Sequence, residues 1–363
     1  MTHPRTLAEI PTPALVIDLP AMERNIAHMA DYLKDGPCKL RPHFKAHKTP
    51  EIAKRQLAAG SCTGLTVATV GEGEVAATFC DDILIANQVI GRDKAARVAE
   101  LAKSIKITVA VESELGLEQL SEAAQRADAT IGALVEVNIG FRAGTALGEP
   151  AVALARRTSD TAGIELQGLM GYAGHAAGMD DRDQREAAER SAIERLVASV
   201  AAVREAGLPC DIVSAGSTGT FDITSQMDGV TEIQAGSYVL MDTAYAKLGL
   251  PFEQAFWVQG TVISRPSETR VTADCGHKSC TMDHGLPDVK GLLGATVMFL
   301  ADEHAMITVP PESTLKPGDT VALWPSHIDP TINLHDVFYV VDGDTVVDVW
   351  PIEARGYREQ RQP

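Results

Sequence analysis

The run Arg41-Pro42-His43-Phe44-Lys45-Ala46-His47-Lys48 sets one lysine, Lys45, among an arginine, two histidines and a second lysine. A lysine at a strand end, partly desolvated and beside other cations, is activated as a nucleophile and forms imines with carbonyl compounds. A solvated basic turn is the plain alternative. Nearly three hundred residues later, Ser326-His327-Ile328-Asp329-Pro330 sets an imidazole and a carboxylate two positions apart. On an extended segment that spacing turns both side chains to one side, as a pair of metal ligands requires. One nitrogen and one oxygen donor suit Mn²⁺, Mg²⁺ or Zn²⁺, with the remaining positions left to water and substrate. An isolated His/Asp pair is also an ordinary hydrogen-bonded surface pair.

A third stretch, Ser214-Ala215-Gly216-Ser217-Thr218-Gly219-Thr220, follows a short apolar run. Small residues let backbone N–H groups approach a phosphate, and the hydroxyls add donors. Gly236-Ser237-Tyr238 offers the same chemistry on the next strand candidate. A flexible surface loop is the alternative for both. Together, a reactive lysine, a phosphate cradle and a two-ligand metal site suggest pyridoxal phosphate chemistry with Lewis-acid help. Asp274-Cys275-Gly276-His277 with Cys280 fits no common zinc spacing and reads as a turn.

These groups need elements to hold them. From residue 19 to 250, apolar strand-like runs alternate with helical runs rich in Ala, Glu and Arg. The helix Leu19 to Leu33 opens the series. Strands are expected at 39–45, 64–70, 82–89, 105–111, 131–139, 166–173, 211–215 and 231–241. Eight strands with intervening helices imply a parallel sheet closed into a (β/α)8 TIM-type barrel, whose site gathers at the strands' C-terminal ends. An open doubly wound sheet is the alternative, but no GxGxxG turn follows the first strand. After Pro251, short β-rich runs separated by turn signals such as Pro317-Gly318 and Asp342-Gly343 predict an antiparallel β domain. The extended Ala14–Ile17 segment joins it. The expected division is a barrel over 19–250 and a β domain of 1–18 plus 251–363 that carries the metal ligands.

The 363 residues suit one large and one smaller domain, and a formal charge of −17 argues against nucleic acid or an anionic membrane as partner. An anionic cofactor therefore needs a local pocket of donors. Six cysteines without a CxxC pair favour reduced thiols. The N-terminal residues lack the signature of a signal peptide, and no apolar stretch approaches the roughly 20 residues of a membrane span. A cytoplasmic protein is expected.

RPHFKAHK, SAGSTGT, QAGSYVLMD, Asp302-Glu303-His304 and PSHIDPTINLHD resemble the D-threonine aldolase and D-serine dehydratase family. The resemblance runs from Thr12-Pro13-Ala14 to Ala354-Arg355-Gly356. It implies an alanine racemase-like barrel that binds pyridoxal 5'-phosphate, a C-terminal β domain and a homodimer. It makes Lys45 the lysine that bonds the cofactor, and assigns Gly216, Ser217, Thr218, Gly219, Gly236, Ser237 and Tyr238 to its phosphate. It places Arg142 at the phenolate oxygen and Tyr172 beside the ring, and gives the metal to His327 and Asp329. The dehydratases carry His-x-Cys, which suits zinc; His-x-Asp followed by Pro-Thr-x-Asn-x-His-Asp resembles the aldolase branch and favours Mn²⁺ or Mg²⁺. Gly140-Phe141-Arg142 looks closer to the dehydratases, and Thr66-Val67-Ala68-Thr69 stands where aldolases tend to carry Cys-Cys-Gln-Lys.

The implied reaction is retro-aldol cleavage of a D-3-hydroxy amino acid to glycine and an aldehyde, with His47 a candidate proton acceptor by proximity. Dehydration of D-serine or D-3-hydroxyaspartate to a 2-oxo acid and ammonia is the nearest alternative. A non-catalytic pyridoxal phosphate-binding protein is a third.

Overall fold

The computed structural model describes residues 4–356. The first strand is β1 (Ala14–Asp18), followed at once by helix α1 (Leu19–Leu33). Eight parallel strands come next: β2 (Lys39–Leu40), β3 (Leu65–Val67), β4 (Asp82–Gln88), β5 (Lys106–Val111), β6 (Ile131–Glu136), β7 (Ile164–Met170), β8 (Ile212–Ala215) and β9 (Glu232–Ile233). Helices alternate with them: α2 (Pro50–Ala58), α3 (Val70–Ala76), α4 (Arg92–Leu101), α5 (Glu114–Ala127), α6 (Glu149–Ser159), α7 (Gly174–Ala177), α8 (Arg182–Glu205) and α9 (Phe221–Thr224). Each strand pairs with its sequence neighbour, and β2 pairs with β9. Bridges Leu40–Cys62 and His43–Thr66 join the first of these strands to the second, so the ring closes as the barrel reading expected.

The strands are buried on both faces, as a barrel wrapped in helices requires: all six residues of β6 are buried. Leu84, Ala86, Ala110, Leu134 and Met170 pack together from four adjacent strands. Gly168 (φ 156°) sits where a Cβ would lie 1.9 Å from the Ile212 carbonyl oxygen, so only glycine lets β7 pass β8 there. Helix α8 starts where the Asp181 carboxylate accepts the Gln184 amide at 2.9 Å. Its buried positions, 185, 189, 192, 193, 196, 199, 200 and 203, trace one helical stripe.

After α10 (Thr243–Ala246) the chain turns to β structure: β10 (Phe256–Ser267), β11 (Arg270–Ala273), β12 (Asp288–Val289), β13 (Thr296–Leu300), β14 (Ala305–Thr308) and β15 (Thr320–Trp324). Helix α11 (Ile328–Asn333), β16 (Val337–Asp342) and β17 (Thr345–Pro351) complete it. β1 lies between β10, antiparallel, and β16, parallel, and it contributes Ala14 and Val16 to a cluster with Ile10, Trp257 and Val341.

Two compact units result: 4–28, 46–51 and 237–356 form one, and 29–45 with 52–236 form the other. These limits differ from 19–250, because Asn25 ties the start of α1 to later segments. Its Nδ2 donates to the Val239 and Glu253 carbonyls at 3.2 and 2.8 Å, and its Oδ1 accepts the Glu253 amide. Residues 46–51 are drawn in by the Ala354 amide, which donates to the Lys48 carbonyl at 3.1 Å. Residues 1–3 and 357–363 of the expected β domain lie outside the described ones.

Two local expectations change. The strand foreseen over 231–241 is only the two-residue β9, after which Ser237–Val239 form a 3-10 turn. Small Ala235 and Gly236 give that stretch little to hold it extended. The segment around 327–329 is the start of helix α11 rather than a strand. Pro330 is no obstacle, since the first turn of a helix has amides without intrahelical acceptors.

Candidate active site

Most of the foreseen residues lie just beyond the C-terminal ends of the barrel strands. After β2, Arg41 is buried and matched by two carboxylates: its Nε lies 2.9 Å from Glu232 and its Nη1 2.7 Å from Asp82. Its charge is therefore neutralised locally rather than left to act on Lys45. Lys45 lies in the 3-10 turn Phe44–Ala46 and is exposed, where partial desolvation was expected. The turn buries Phe44 against Phe79, ring centroids 6.1 Å apart, and leaves its neighbour on the open rim. His47 is fully buried, and its Nδ1 accepts the Thr49 amide at 3.2 Å. In a neutral imidazole this leaves the proton on Nε2, so the ring is a donor there and not the acceptor foreseen.

Arg142 and Tyr172, after β6 and β7, are brought together: the guanidinium carbon lies 5.6 Å from the ring centroid. Arg142 is exposed but held by Glu136, whose carboxylate is buried and takes Nη2 at 2.6 Å while also accepting the Gln88 amide group. Two buried atoms just past the same strands, Asn138 Oδ1 and His175 Nδ1, have no hydrogen-bond partner among the described residues. Such atoms call for water or a ligand.

The loop after β8 is buried throughout 216–219, which excludes the flexible-loop alternative. Gly216 adopts φ 74°, and a Cβ there would meet the Thr224 side chain at 3.0 Å. Ser217 and Ser237 are each 8% exposed, and Tyr238 is buried with its ring 5.4 Å from Phe252. A glycine corner followed by hydroxyl residues at the mouth of a barrel fits a phosphate monoester, and the orphaned Asn138 and His175 atoms fit the rest of a polar cofactor and substrate.

The candidate metal ligands are His327, in the extended position before α11, and Asp329 in the helix's first turn. Although the segment is helical, His327 Nε2 and Asp329 Oδ2 are 4.0 Å apart. A single ion about 2.0–2.2 Å from each donor spans that distance. His327 Nδ1 lies 2.5 Å from Asp283 Oδ2, which fixes the tautomer that leaves Nε2 to a metal. The His284 ring stacks on His327 at 3.9 Å, and Asp283, His284 and His327 place ligand atoms within 4.8 Å of one another. The donor set therefore fits a divalent cation.

Burial pushes the Asp283 carboxyl up, but the hydrogen bond and charge of His327 outweigh it and hold it below its ordinary range. His284 is lowered, first by burial and then by the neighbouring His327. Beneath them, buried Asp242 accepts the Tyr245 amide at 2.8 Å and the Ile328 amide at 3.0 Å, so it caps α10 and anchors the start of α11. Burial raises the Asp242 carboxyl to about 6 against those two bonds. Asp283 and His284 escaped the sequence reading, and Glu136 and Asp242 were given no role in it. No spacing links Asp283 to His327 across 44 residues, and only the fold joins them.

Comparison with known proteins now decides the family. Residues 17–244 match the model described as "Alanine racemase, N-terminal domain", and residues 255–341 match "Putative serine dehydratase domain". The chain is 39% identical to a D-threonine aldolase of Arthrobacter sp. over 359 residues, 97% of this chain and 94% of that one. The chain belongs to the D-threonine aldolase and D-serine dehydratase family. It is also 33% identical to a 3-hydroxy-D-aspartate aldolase of Paracoccus denitrificans, over 96% of this chain and 93% of that one. Among solved structures, D-threonine aldolase from Filomicrobium marinum superposes with a TM-score of 0.95 at 38% identity, covering 98% of both chains. A protein of this family with this fold is an enzyme, a pyridoxal phosphate-dependent lyase.

Proposed function

We propose that this lyase cleaves a D-3-hydroxy amino acid of the D-threonine kind to glycine and an aldehyde, with pyridoxal 5'-phosphate and a divalent cation, Mn²⁺ or Mg²⁺ before Zn²⁺. The observation that carries the reading is the pair of oxygen and nitrogen donors at 329 and 327, 4.0 Å apart, with no thiolate between them. Identity to two aldolases over nearly the full length supports it.

Bound pyridoxal phosphate supplies an electron sink for the pair released when the Cα–Cβ bond breaks. A bound cation would supply Lewis-acid help at the β-hydroxyl, whose proton would pass to solvent water as the bond breaks. The chain's own groups do the rest. Lys45 would hold the cofactor through its primary amine. Gly216, Ser217, Thr218, Gly219, Gly236, Ser237 and Tyr238 hold the phosphate. Glu136 fixes the guanidinium of Arg142 for the phenolate oxygen, and Tyr172 flanks the ring. His327 and Asp329 hold the cation, Asp283 orients His327, and His47 donates through Nε2. The proposal extends to a homodimer working in the cytoplasm, in keeping with six free cysteines whose thiols are all raised by burial.

Two variants test the assignment. Lys45→Ala is expected to lose the visible absorbance of the lysine-bound cofactor and all turnover. His327→Ala is expected to keep that absorbance yet lose turnover that added Mn²⁺ does not restore. Turnover retained by His327→Ala would remove the metal from the account.

A further inference from the structure

Helix α8 carries a carboxylic acid that nothing above uses. Glu189 is 1% exposed and makes no ion pair among the described residues; its partners are hydroxyl groups. Thr224 Oγ1 donates to its Oε1 at 2.5 Å, and the Thr220 hydroxyl stands close enough to draw the pKa of the carboxyl down. Thr220 Oγ1 lies 3.3 Å from Thr224 Oγ1 and 3.3 Å from Ser217 Oγ. All three hydroxyl residues are buried, Thr220 at 1%, Thr224 at 0% and Ser217 at 8%. An unbroken chain of hydroxyls therefore runs from Glu189 to the loop assigned to the phosphate.

Such a chain has a direction, because each hydroxyl has one proton to give. When Glu189 is ionised it only accepts. Thr224 and Thr220 then turn their protons to it, and the Thr220 oxygen takes the proton of Ser217. When Glu189 is protonated it donates into the chain, Thr220 donates to Ser217, and the Ser217 proton is left for an incoming anion.

We propose that Glu189 is a positioning residue of the phosphate cradle: through Thr224 and Thr220 it sets whether Ser217 presents its proton to a phosphate monoester, and phosphate binding takes up a proton at Glu189. The proposal rests on the assignment of residues 216–219 to the phosphate. Burial raises the Glu189 carboxyl to about 7, against the pull of Thr224 and Thr220, so both directions of the chain are reached near neutrality. A buried carboxylate also repels a nearby phosphate dianion, which favours the same protonated state when the anion is bound.

Charges on the surrounding elements are engaged elsewhere. On α8 itself, Arg185 donates to the Met179 and Asp180 carbonyls, and Arg190 pairs with Glu186 at 2.8 Å. Arg182 pairs with Asp222 of α9 at 2.8 Å. His175 of α7 packs on Phe141, Arg156 of α6 donates to the Ala206 carbonyl, and Glu165 of β7 accepts from Gln167.

The test uses the full chain stripped of cofactor. Dissociation constants for pyridoxal 5'-phosphate and for inorganic phosphate are measured for the wild type and the uncharged isostere Glu189→Gln. Comparing the two at one pH cancels the ionisation of the phosphate itself. At about pH 6 the constants should agree within about twofold, and at about pH 8.5 the variant should bind about tenfold more tightly than the wild type. A ratio that does not change with pH overturns the proposal. Thr220→Val cuts the chain, so in that background Glu189→Gln should leave no pH-dependent ratio; a ratio that persists would mean through-space charge and sink the hydroxyl chain. Ser217→Ala should weaken binding of pyridoxal 5'-phosphate and leave binding of pyridoxal unchanged. Equal affinity of Ser217→Ala and wild type for pyridoxal 5'-phosphate would instead show that the phosphate assignment had failed first.

Discussion

At position 329 the chain carries an oxygen donor, and that atom type sets the ion the pair prefers. A carboxylate is a hard ligand suited to Mn²⁺ and Mg²⁺; a thiolate is soft and suits Zn²⁺. Asp329→Cys is therefore expected to move the preference from Mn²⁺ toward Zn²⁺, read as the ratio of the two dissociation constants; an unchanged ratio would speak against Asp329 as ligand. Asp283 acts one bond further out, through His327 Nδ1. Asp283→Ala should weaken metal affinity by roughly 10–100-fold, the usual effect of losing the partner of a ligating histidine. Glu189 yields a stability prediction with a definite sign. Its carboxyl titrates at about 7 when folded against an ordinary 4.5. Folded-state stability from the protonated acid is thus fully present below about 4.5 and is lost as pH rises through about 7. Glu189→Gln should gain on the wild type across that window, by about 2–3 kcal/mol at most, in denaturant titrations at about pH 5 and about pH 8. Lys45, His327 and Asp329 stand out as candidates in the sequence because motif and residue type coincide there, and Arg142 and Tyr172 enter through the family resemblance. Glu189 and Asp283 do not stand out: a single acid in an Ala/Glu/Arg-rich helix, or in a turn, looks like every other solvated one until burial is known.

At the scale of elements, the first turn of α11 does the positioning that a strand was expected to do. An i, i+2 spacing of donors is not peculiar to a strand. His327 itself is extended, with φ −146° and ψ 120°, and the helix begins immediately after it. A junction of that kind still turns both donors toward one point. Asp242 fixes the junction by accepting the amides of Ile328 and Tyr245. Asp242→Ala removes an N-cap and strands a buried amide, so it should lower stability by about 1–3 kcal/mol and weaken metal binding as well. Loss of stability with unchanged metal affinity would separate the anchor from the site. The barrel strands were legible from their apolar runs, whereas β2 and β9 were overestimated. Each has only two ladder residues, and the loops beyond them are held by side chains and bridges that propensity does not register.

For the whole molecule, an acidic chain must gather anionic ligands through local donors, since its formal charge of −17 repels them at long range. In the proposed site, buried hydroxyls and a glycine corner at 216–219, an ion-paired arginine at 142 and a cation at 327 and 329 would meet that demand. The expected dimer is tested by light scattering, which should give about twice the 38.6 kDa of one chain. The most direct measurement is the identity of the products formed from D-threonine, D-phenylserine and D-3-hydroxyaspartate, with Mn²⁺ and again after a chelator. Glycine and an aldehyde in equal amounts, lost with the chelator and regained with Mn²⁺, is the predicted result; a 2-oxo acid with ammonia, or cleavage indifferent to the chelator, would contradict it.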